Sequence, residues 1–342
     1  MDEGASAVAG GSTPQRFDPA ELGAVLRLYE LGEVRSVREL IGGGAGSPKA
    51  LVECARGKFV LKRRAPGRDN PFRVAFSHEV MLHLRAHGFP APVLIGTRTE
   101  NNSLAQVEGR VYELFVFVEG TPFARTPAQA LDAGRKLGEL HALLGAFTPR
   151  FGGPPAQRDP TTVVREGVAK LGEPPAARRL GELIERSEQR LATLDALDGP
   201  TGLLHGDWHP GNLLFHDDGV AGVFDFDGVH PGPLAADLAQ ALAQFSMVRE
   251  TGGPDAWADE PDLPMLGCVW RGYHDAGGPL LLPPDAAGPL IARSLAVEWA
   301  QSAAAGLLGA PPQAIAMLDA VCRKGVWALN HAAEIAAVAR AG

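Results

Sequence analysis

The sequence of 342 residues lacks the features that define several common protein classes. Its three cysteines, Cys54, Cys268 and Cys322, are far apart and form no CxxC pair, so the sequence predicts neither a disulfide framework nor a zinc site and is typical of a reducing cytoplasm. No glycine-rich loop ends in Gly-Lys-Ser/Thr, which excludes a Walker A nucleotide site. The apolar stretch 295–316 is interrupted by Glu298 and two prolines, so no membrane span is predicted.

The sequence also lacks an excess of positive charge. It has 32 Lys and Arg residues against 40 Asp and Glu residues, a net charge of −8, which argues against a broad surface for nucleic acid or anionic membrane. The first residues contain neither a basic region nor an apolar run, so no signal peptide is expected. Glycine and proline are abundant but follow no fixed period, which excludes a solenoid. The oligomeric state is not predicted by these features.

One stretch, residues 203–227, concentrates the groups that could perform chemistry. An apolar run leads into Asp207 and Asn212, a polar turn at 217–219 separates two β segments, and the second segment ends at Asp225. Phosphoryl transfer requires a carboxylate that orients and deprotonates the attacking hydroxyl, and oxygen ligands that hold Mg²⁺ against the nucleotide phosphates. The stretch contains these groups in that order.

The spacing of these residues matches a catalytic loop. His205, Asp207 and Asn212 follow the pattern H-x-D-x-x-x-x-N of kinases, which predicts that Asp207 is the catalytic base and Asn212 a metal ligand. Asp225 follows a strand, as the metal-holding Asp of the kinase D-F-G segment does, although the triplet here is Asp-Phe-Asp. The alternative, a surface hairpin with polar loops, does not explain four coincident positions.

Residues 205–212, HGDWHPGN, resemble the H-G-D-x-H-x-x-N signature of the aminoglycoside phosphotransferase and choline kinase superfamily. The resemblance covers nearly the whole chain from Phe17, and segments 117–123 and 134–141 are most similar to the bacterial homoserine kinase type II and spore-coat-associated branch. It implies a two-lobed, protein-kinase-like α+β fold, with a small N-terminal antiparallel β lobe containing one main helix and a larger, mostly helical C-terminal lobe. The expected division is a disordered tail at 1–16, a nucleotide-binding lobe at 17–118, and a catalytic and substrate-binding lobe at 119–342.

The N-terminal part of the sequence predicts a cradle for a nucleotide. A glycine-rich loop at 42–47 lies between two predicted strands, the order in which a kinase covers nucleotide phosphates, although the loop departs from G-x-G-x-x-G. Gly44 and Ser47 are therefore candidates for cofactor binding. Lys62 ends a strand, as the phosphate-binding Lys of V-A-I-K does. Glu79, on the next predicted helix, is expected to pair with Lys62.

The helix predicted at 71–87 also carries His78, His83 and His87. With Glu79 they are spaced H-E-x-x-x-H, whereas a zinc metalloprotease requires H-E-x-x-H. We therefore expect these histidines to lie on the surface of the helix, with no metal between them.

The resemblance also implies residues that support the site. It places a hinge between the lobes after Val118, where backbone groups near Val116 and Val118 would hydrogen-bond adenine, although a plain turn is equally consistent with the local sequence. It makes Asp237 a structural residue that caps the backbone of the catalytic loop. His205 and Asp227 complete the supporting candidates.

The predicted function is the phosphorylation of a hydroxyl on a small molecule, such as an amino alcohol, a homoserine-like compound, a sugar or an aminoglycoside, with ATP and Mg²⁺. One alternative is a bacterial stress-response-type Ser/Thr protein kinase, and another is a non-catalytic nucleotide-binding coat or scaffold protein. No long activation segment fits between Asp225 and Asp237, which disfavours an ordinary protein kinase. The joint presence of Lys62, Asp207, Asn212 and Asp225 disfavours a degenerate protein. The sequence identifies neither the acceptor nor the choice between ATP and GTP.

Overall fold

The N-terminal part of the protein is an antiparallel sheet accompanied by two helices. The computed structural model describes residues 16–40, 47–150, 152–155, 158–170, 174–196, 199–248, 252–305 and 311–341. The sheet has the order β1-β2-β3-β5-β4, and its strands are β1 (Val34–Leu40), β2 (Lys49–Cys54), β3 (Gly57–Arg63), β4 (Ala105–Val107) and β5 (Arg110–Val116).

Each helix of this part begins at a cap encoded in the sequence. Helix α1 (Pro19–Leu26) follows Asp18, whose carboxylate accepts hydrogen bonds from the backbone N of Ala20 and Glu21. Helix α2 (Pro71–Ala86) follows Asn70, which caps its first turn in the same way. In both helices proline occupies the first position, where its missing N–H carries no penalty.

The C-terminal part is mainly helical. Its helices are α3 (Pro127–Gly145), α4 (Pro160–Ala169), α5 (Pro174–Thr193), α6 (Ala235–Ser246), α7 (Leu263–Asp275), α8 (Ala287–Ala304), α9 (Pro311–Asn330) and α10 (Ala332–Ala341). Two short antiparallel pairs lie among them: β6 (Thr201–Leu204) with β9 (His230–Pro233), and β7 (Leu213–His216) with β8 (Gly219–Val223).

Among the residues that the structure describes, the buried apolar side chains form two separate cores. The smaller core joins α1 to the five-stranded sheet through residues such as Val25, Leu61 and Leu114. The larger core fills the helical part, and α2 contributes Phe76 and Val80 to it. Helix α2 thus packs toward the C-terminal part while its chain connections lie in the N-terminal sheet, which holds the two parts together.

Helices α3 and α7 pack closely because glycines line their contact. A Cβ added at Gly134 of α3 would collide with the carbonyl O of Val269, and one added at Gly272 of α7 would collide with the carbonyl O of Leu131. This close approach brings polar side chains of the two helices together beneath the catalytic loop, as described below.

The predicted fold class is confirmed, since an antiparallel β part with one main helix precedes a larger helical part. The boundaries at residues 16 and 118 stay predictions, and the predicted disordered tail lies, up to residue 15, outside the described residues. In the part of the chain that the structure describes, no helix is both long enough and apolar enough to cross a lipid bilayer.

Candidate active site

The hairpin of β7 and β8 positions the ends of the catalytic stretch. The strands pair from Leu213 with Val223 to His216 with Gly219. Just outside the first pair, the backbone N of Phe224 donates to the carbonyl O of Asn212 at 2.8 Å. Asn212 and the residue after Phe224, which is Asp225, therefore lie side by side at the open end of the hairpin.

Helix α3 fixes the other end of this hairpin. The Asp132 carboxylate accepts a hydrogen bond from the backbone N of Val220 at 2.7 Å, and Nε2 of Gln129 donates to the carbonyl O of Asp217 at 2.8 Å. Asp217 itself adopts a left-handed backbone with φ of 52°, as short polar residues do in tight turns. The polar turn predicted from the sequence thus joins the hairpin to the helical part.

Asp207 and Asn212 are connected directly. Nδ2 of Asn212 donates to the carbonyl O and to Oδ2 of Asp207, each at 2.9 Å. Because both bonds use the amide nitrogen, the carboxamide oxygen of Asn212 remains as a ligand of the kind that Mg²⁺ prefers.

His209 is the second neighbour of Asp207. Its Nδ1 accepts a hydrogen bond from the backbone N of Gly211 at 3.0 Å, so its Nε2 carries the proton, and Nε2 lies 3.5 Å from Oδ1 of Asp207. Burial raises the pKa of Asp207, but the hydrogen-bonding contacts with His209 and Asn212 oppose it, and the pKa lies below its usual value. The base candidate is therefore ionised at neutral pH.

Asp225 occupies a strained position that faces Lys62. Its φ of 64° and ψ of 56° are left-handed, an uncommon conformation for a residue other than glycine and one that concentrates at functional sites. Its Oδ1 lies 3.2 Å from Nζ of Lys62, which is 2.8 Å from Oδ2 of Asp227. Burial raises the pKa of Asp225, but Lys62 and Lys49 outweigh it and hold that pKa well below its usual range.

The oxygen ligands of the site fit a hard cation. Asn212 and Asp225, the two candidate ligands, are adjacent at the open end of the hairpin, and among the described residues no group of three or more His, Cys, Asp or Glu side chains is arranged to hold a metal ion. Two protein ligands suit Mg²⁺, which usually keeps several waters and takes further oxygens from substrate phosphates.

The predicted pairing of Lys62 with Glu79 is wrong. Lys62 pairs with Asp225 and Asp227, whereas Glu79 accepts a hydrogen bond from the backbone N of Arg150 at 3.0 Å. The face of α2 that points to the sheet carries His78 instead, because that face is set by packing of the helix against the larger core.

The predicted surface position of His78 is also wrong, because its side chain is buried. Its Nε2 lies 2.6 Å from Glu113 on β5, which also accepts two hydrogen bonds from Arg64. Arg64 in turn pairs with Asp227. A buried chain of charges, Glu113 to Arg64 to Asp227 to Lys62, therefore connects the sheet to the end of the hairpin.

The remaining cofactor candidates are Gly44, Ser47, Val116 and Val118. Ser47 is half-buried just before β2, while Gly44 lies outside the described residues. The backbone N of Val116 donates to the carbonyl O of Val93 at 2.9 Å, so this amide is used by the fold and is not available to adenine. Val118 follows in the connection to α3 and packs beside Gly222 of the hairpin.

Asp237 holds the backbone of the catalytic loop. Its carboxylate accepts hydrogen bonds from the backbone N of His205 at 2.6 Å and of Gly206 at 3.0 Å. Nε2 of His141 lies 3.1 Å from the same carboxylate, and Nδ1 of His141 lies 2.8 Å from the hydroxyl of Tyr273. The close packing of α3 and α7 thus places His141 of α3 between Asp237 and Tyr273 of α7.

His205 connects the catalytic loop to the hairpin. It is fully buried, its Nε2 lies 3.0 Å from the carbonyl O of Phe224, and its ring packs against Phe226. Burial lowers the pKa of His205, so the side chain is neutral and donates this hydrogen bond. The hydrogen bond between His205 and Phe224 therefore fixes the position of Asp207 relative to Asp225.

Lys49 is a candidate site residue that sequence reasoning missed. It lies directly opposite Lys62 in the register of β2 and β3, so the two side chains project from the same face of the sheet. Burial and the charge of Lys62 lower the pKa of Lys49, while Asp225 and Asp227 raise it. Counting back from the turn at Ala55 and Arg56 gives this register, which is the signal that could have found the residue.

A pocket opens beside the catalytic loop between α6 and α8. It encloses about 60 Å³ and opens to solvent. Its lining includes residues of the loop, of β9 and of both helices: Gly206, His230, Gln240, Arg293, Ser294 and Glu298. Sequence reasoning assigned none of the α8 residues to the site, because α8 is distant from the catalytic loop in the chain.

The structure thus connects the candidate base Asp207 to Asn212, and the candidate metal ligand Asp225 to the buried Lys62. The model of the phosphotransferase enzyme family, APH, matches residues 37–265. The chain belongs to this family, and the predicted kinase class is confirmed.

Individual relatives agree with this assignment. The chain is 28% identical over 310 residues to a homoserine kinase of Bradyrhizobium diazoefficiens, covering 86% of each. Its fold is similar to that of a microcompartment-associated aminopropanol kinase, with a TM-score of 0.70 at 17% identity, covering 93% of this chain and 99% of the other. It is also similar to an amicoumacin kinase in complex with AMP-PNP and Ca²⁺, with a TM-score of 0.60 at 14% identity, covering 84% and 87%. At these identities the two structures show a shared fold.

Proposed function

We propose that the protein transfers the terminal phosphoryl group of ATP to a hydroxyl of a small molecule, with Asp207 as the base. The observation that carries the proposal is the state of Asp207, which is ionised and fixed by Asn212 and His209 beside the metal-ligand candidates. A base in this position orients the acceptor hydroxyl and takes up its proton as the phosphoryl group transfers.

The metal-ligand and lysine candidates have complementary roles in this proposal. Asn212 and Asp225 hold Mg²⁺, which when bound neutralises charge on the nucleotide phosphates. Lys62 and Lys49 contact the phosphates from the sheet, while Asp227 keeps Lys62 directed to the cleft.

The backbone supplies the rest of the nucleotide site. Gly44 and Ser47 stay the candidates that would hold the phosphates, and the connection at Val118 stays the candidate that would hold the adenine. The buried positions of His205 and Asp237 fit supporting roles.

The segment after Asp225 favours a small acceptor over a protein. It enters β9 at once, and β9 pairs with β6 directly before the catalytic loop, so the chain between Asp225 and α6 holds no long loop for a peptide. The names of the relatives, homoserine kinase and aminopropanol kinase, support acceptors that carry an amino group near the hydroxyl. A cytoplasmic location stays a prediction.

The experiment that tests this function is an acceptor screen that follows ADP release. The panel is 1-amino-2-propanol, L-homoserine, a hexose, an aminoglycoside and a generic protein substrate, each with ATP and Mg²⁺. We expect ADP release that depends on a small acceptor in the wild-type protein and is lost in Asp207→Asn. Phosphorylation of the protein substrate alone, or no acceptor-dependent release with any compound, would contradict the proposal.

A further inference from the structure

We propose that Arg64 is the residue that positions Lys62 for the nucleotide phosphates, and that it acts through Asp227. Glu113 of β5 fixes Arg64 in turn. The inference rests on the proposed function, because it takes Lys62 as a phosphate ligand. It adds a positioning residue that no sequence pattern assigned, and it gives to the β-sheet the role that the sequence predicted for Glu79 of α2.

Lys62 and Asp227 form the contact through which Arg64 acts. Nζ of Lys62 lies 2.8 Å from Oδ2 of Asp227 and 3.2 Å from Oδ1 of Asp225. In the proposed function Asp225 binds Mg²⁺, so Asp227 is the carboxylate that continues to hold Lys62. A lysine carries its charge on a flexible four-carbon stem, so its ammonium keeps one direction only if its partner is itself fixed. The position of Asp227 therefore decides where Lys62 points.

Arg64 fixes the other oxygen of Asp227. Its Nη1 lies 2.5 Å from Oδ1 of Asp227, while its Nε and Nη2 donate to Oε2 and Oε1 of Glu113 at 2.5 Å and 2.7 Å. All three nitrogens of one planar guanidinium are used, so the orientation of Glu113 sets the orientation of the group that binds Asp227. A lysine at this position would present a single nitrogen, which cannot reproduce the paired contact with Glu113 and also reach Asp227.

Glu113 is a fixed anchor for this arrangement. Its side chain is fully buried, and it lies directly opposite Lys62 in the register of β3 and β5. Nε2 of His78 lies 2.6 Å from Oε1 of Glu113, and Nδ1 of His78 lies 2.7 Å from Oγ of Ser103. Burial raises the pKa of Glu113, but the charge of Arg64 and the contact with His78 hold that pKa well below its usual range. The carboxylate is therefore charged, and it is held by β5 and by α2.

Each cation of the arrangement lies between two carboxylates. Arg64 lies between Glu113 and Asp227, and Lys62 lies between Asp227 and Asp225. Lys62, Arg64 and Glu113 are buried, so the loss of one member leaves a buried charge without its partner. The same contacts could serve the stability of the fold alone. The two roles make different predictions for the affinity of the folded protein for a nucleotide.

Glu79 of α2 is engaged elsewhere. Its carboxylate accepts a hydrogen bond from the backbone N of Arg150 at 3.0 Å and lies 3.8 Å from Nε of the same residue. Glu79 thus connects α2 to the segment that follows α3. Positioning of Lys62 by Glu79 is therefore the alternative that the experiment must exclude.

The experiment is a calorimetric titration of the protein with AMP-PNP, once with Mg²⁺ and once with EDTA. The variant Arg64→Lys keeps the charge and removes the planar group. Arg63→Lys is the matched control, because Arg63 is similarly buried and pairs with Glu21 of α1 on the opposite face of the sheet. Glu79→Gln tests the alternative. An unfolded fraction lowers the measured stoichiometry and leaves Kd unchanged, so Kd reports on the folded protein.

We expect Arg64→Lys to raise the Kd for AMP-PNP by about tenfold, the size of one charge-assisted hydrogen bond. The rise should be the same with Mg²⁺ and with EDTA, because Lys62 contacts the phosphates directly. Arg63→Lys and Glu79→Gln should bind as the wild-type protein does. A wild-type Kd in Arg64→Lys, or an equal rise in either of the other two variants, would overturn the proposal. A rise that requires Mg²⁺ would also overturn it, since Arg64 would then act on the metal ligand Asp225.

A second variant keeps the test decisive if Arg64→Lys does not fold. Glu113→Asp keeps the charge but shortens the side chain by one methylene, so the carboxylate no longer reaches Arg64 and His78 together. It should raise the Kd for AMP-PNP to a similar extent, and a wild-type Kd would contradict the assignment. Where both variants fold, their effects should not add in the double variant, because both act through the position of Asp227. Additive effects would contradict this common route.

The failure of the proposed function can be distinguished from the failure of this inference. If the wild-type protein bound no AMP-PNP, the nucleotide site would be wrong, and both the proposed function and the role of Arg64 would be refuted. If the wild-type protein bound AMP-PNP and both Arg64→Lys and Glu113→Asp bound it equally well, only the role of Arg64 would be refuted.

Discussion

Nζ of Lys62 lies 3.2 Å from Oδ1 of Asp225, so a lysine of the β-sheet and a metal-ligand candidate of the hairpin hold each other across the cleft. Without a nucleotide, the carboxylate is neutralised by the lysine. Binding of Mg²⁺ to Asp225 would compete with this ion pair, and the nucleotide phosphates would replace the carboxylate as partners of Lys62. The first prediction follows from this exchange.

Asp225→Ala should remove the dependence of ATP binding on Mg²⁺. A ligand at a hundredfold excess over Kd stabilises the folded state by about 2.7 kcal/mol, so the wild-type protein should melt at a higher temperature with ATP and Mg²⁺ than with ATP alone. In the variant the two melting temperatures should coincide. A Mg²⁺-dependent shift of wild-type size in the variant would show that the metal site lies elsewhere.

Lys49→Met should weaken ATP binding through the loss of a phosphate contact. The side chain lies beside Lys62 on the same face of the sheet and is not replaced by another cation of β2. We expect the KM for ATP to rise by about tenfold, as for one charge-assisted hydrogen bond, with kcat for a saturating acceptor much less affected. Lys170→Met, at the end of α4, is the control, and an identical KM in Lys49→Met and wild type would exclude the contact.

His209→Gln should move the acid limb of the pH profile. His209 holds the pKa of Asp207 below its usual value, and the base must be ionised to act. Without the imidazole the pKa of Asp207 rises, so the decline of kcat/KM on acidification should begin at a higher pH than in the wild-type protein. The profile of kcat/KM against pH measures this, and an unshifted acid limb would show that His209 does not tune the base.

The catalytic stretch could be predicted because its information is local. Asp207, Asn212 and Asp225 lie within one loop and one hairpin, and the turn at Asp217 fixes their separation. The strands and the cap residues of α1 and α2 are local in the same sense. The fold class was implied by the family resemblance of residues 205–212, which is also a local signal.

The partners of the site residues could not be predicted from such patterns. Glu79 and His78 are adjacent in the sequence, and only the packing of α2 decides which of them faces the sheet. The position of Lys49 opposite Lys62 depends on the register of β2 and β3. Glu298 lines the pocket beside the catalytic loop only because α8 packs against α6, a tertiary contact without a signal in the surrounding sequence.

Asp237→Ala should lower the free energy of unfolding, because Asp237 holds the backbone of the catalytic loop. It would leave the buried backbone N–H groups of His205 and Gly206 and the side chain of His141 without their shared acceptor. Each unsatisfied buried group costs about 1 to 3 kcal/mol, so we expect a loss of about 3 to 5 kcal/mol in the free energy of unfolding. Urea denaturation of the variant measures it.

The same residue predicts a pH dependence of stability. Burial raises the pKa of Asp237, but its contacts with His141 and the loop outweigh this and hold the pKa below its usual value. The stabilisation is therefore present above the ordinary pKa of Asp and is lost as the pH falls through the lowered one. The difference in unfolding free energy between wild type and Asp237→Ala should shrink on acidification, and a difference that stays constant would contradict this role.

The most direct test of the account is the turnover of Asp207→Asn with an acceptor that the wild-type protein phosphorylates. The substitution keeps the size of the side chain and removes the charge that accepts the proton. ATP affinity and melting temperature should stay near the wild-type values, while kcat should fall by about 10²- to 10⁴-fold. Wild-type turnover per folded molecule, with or without a lowered melting temperature, would contradict the assignment of Asp207 as the base.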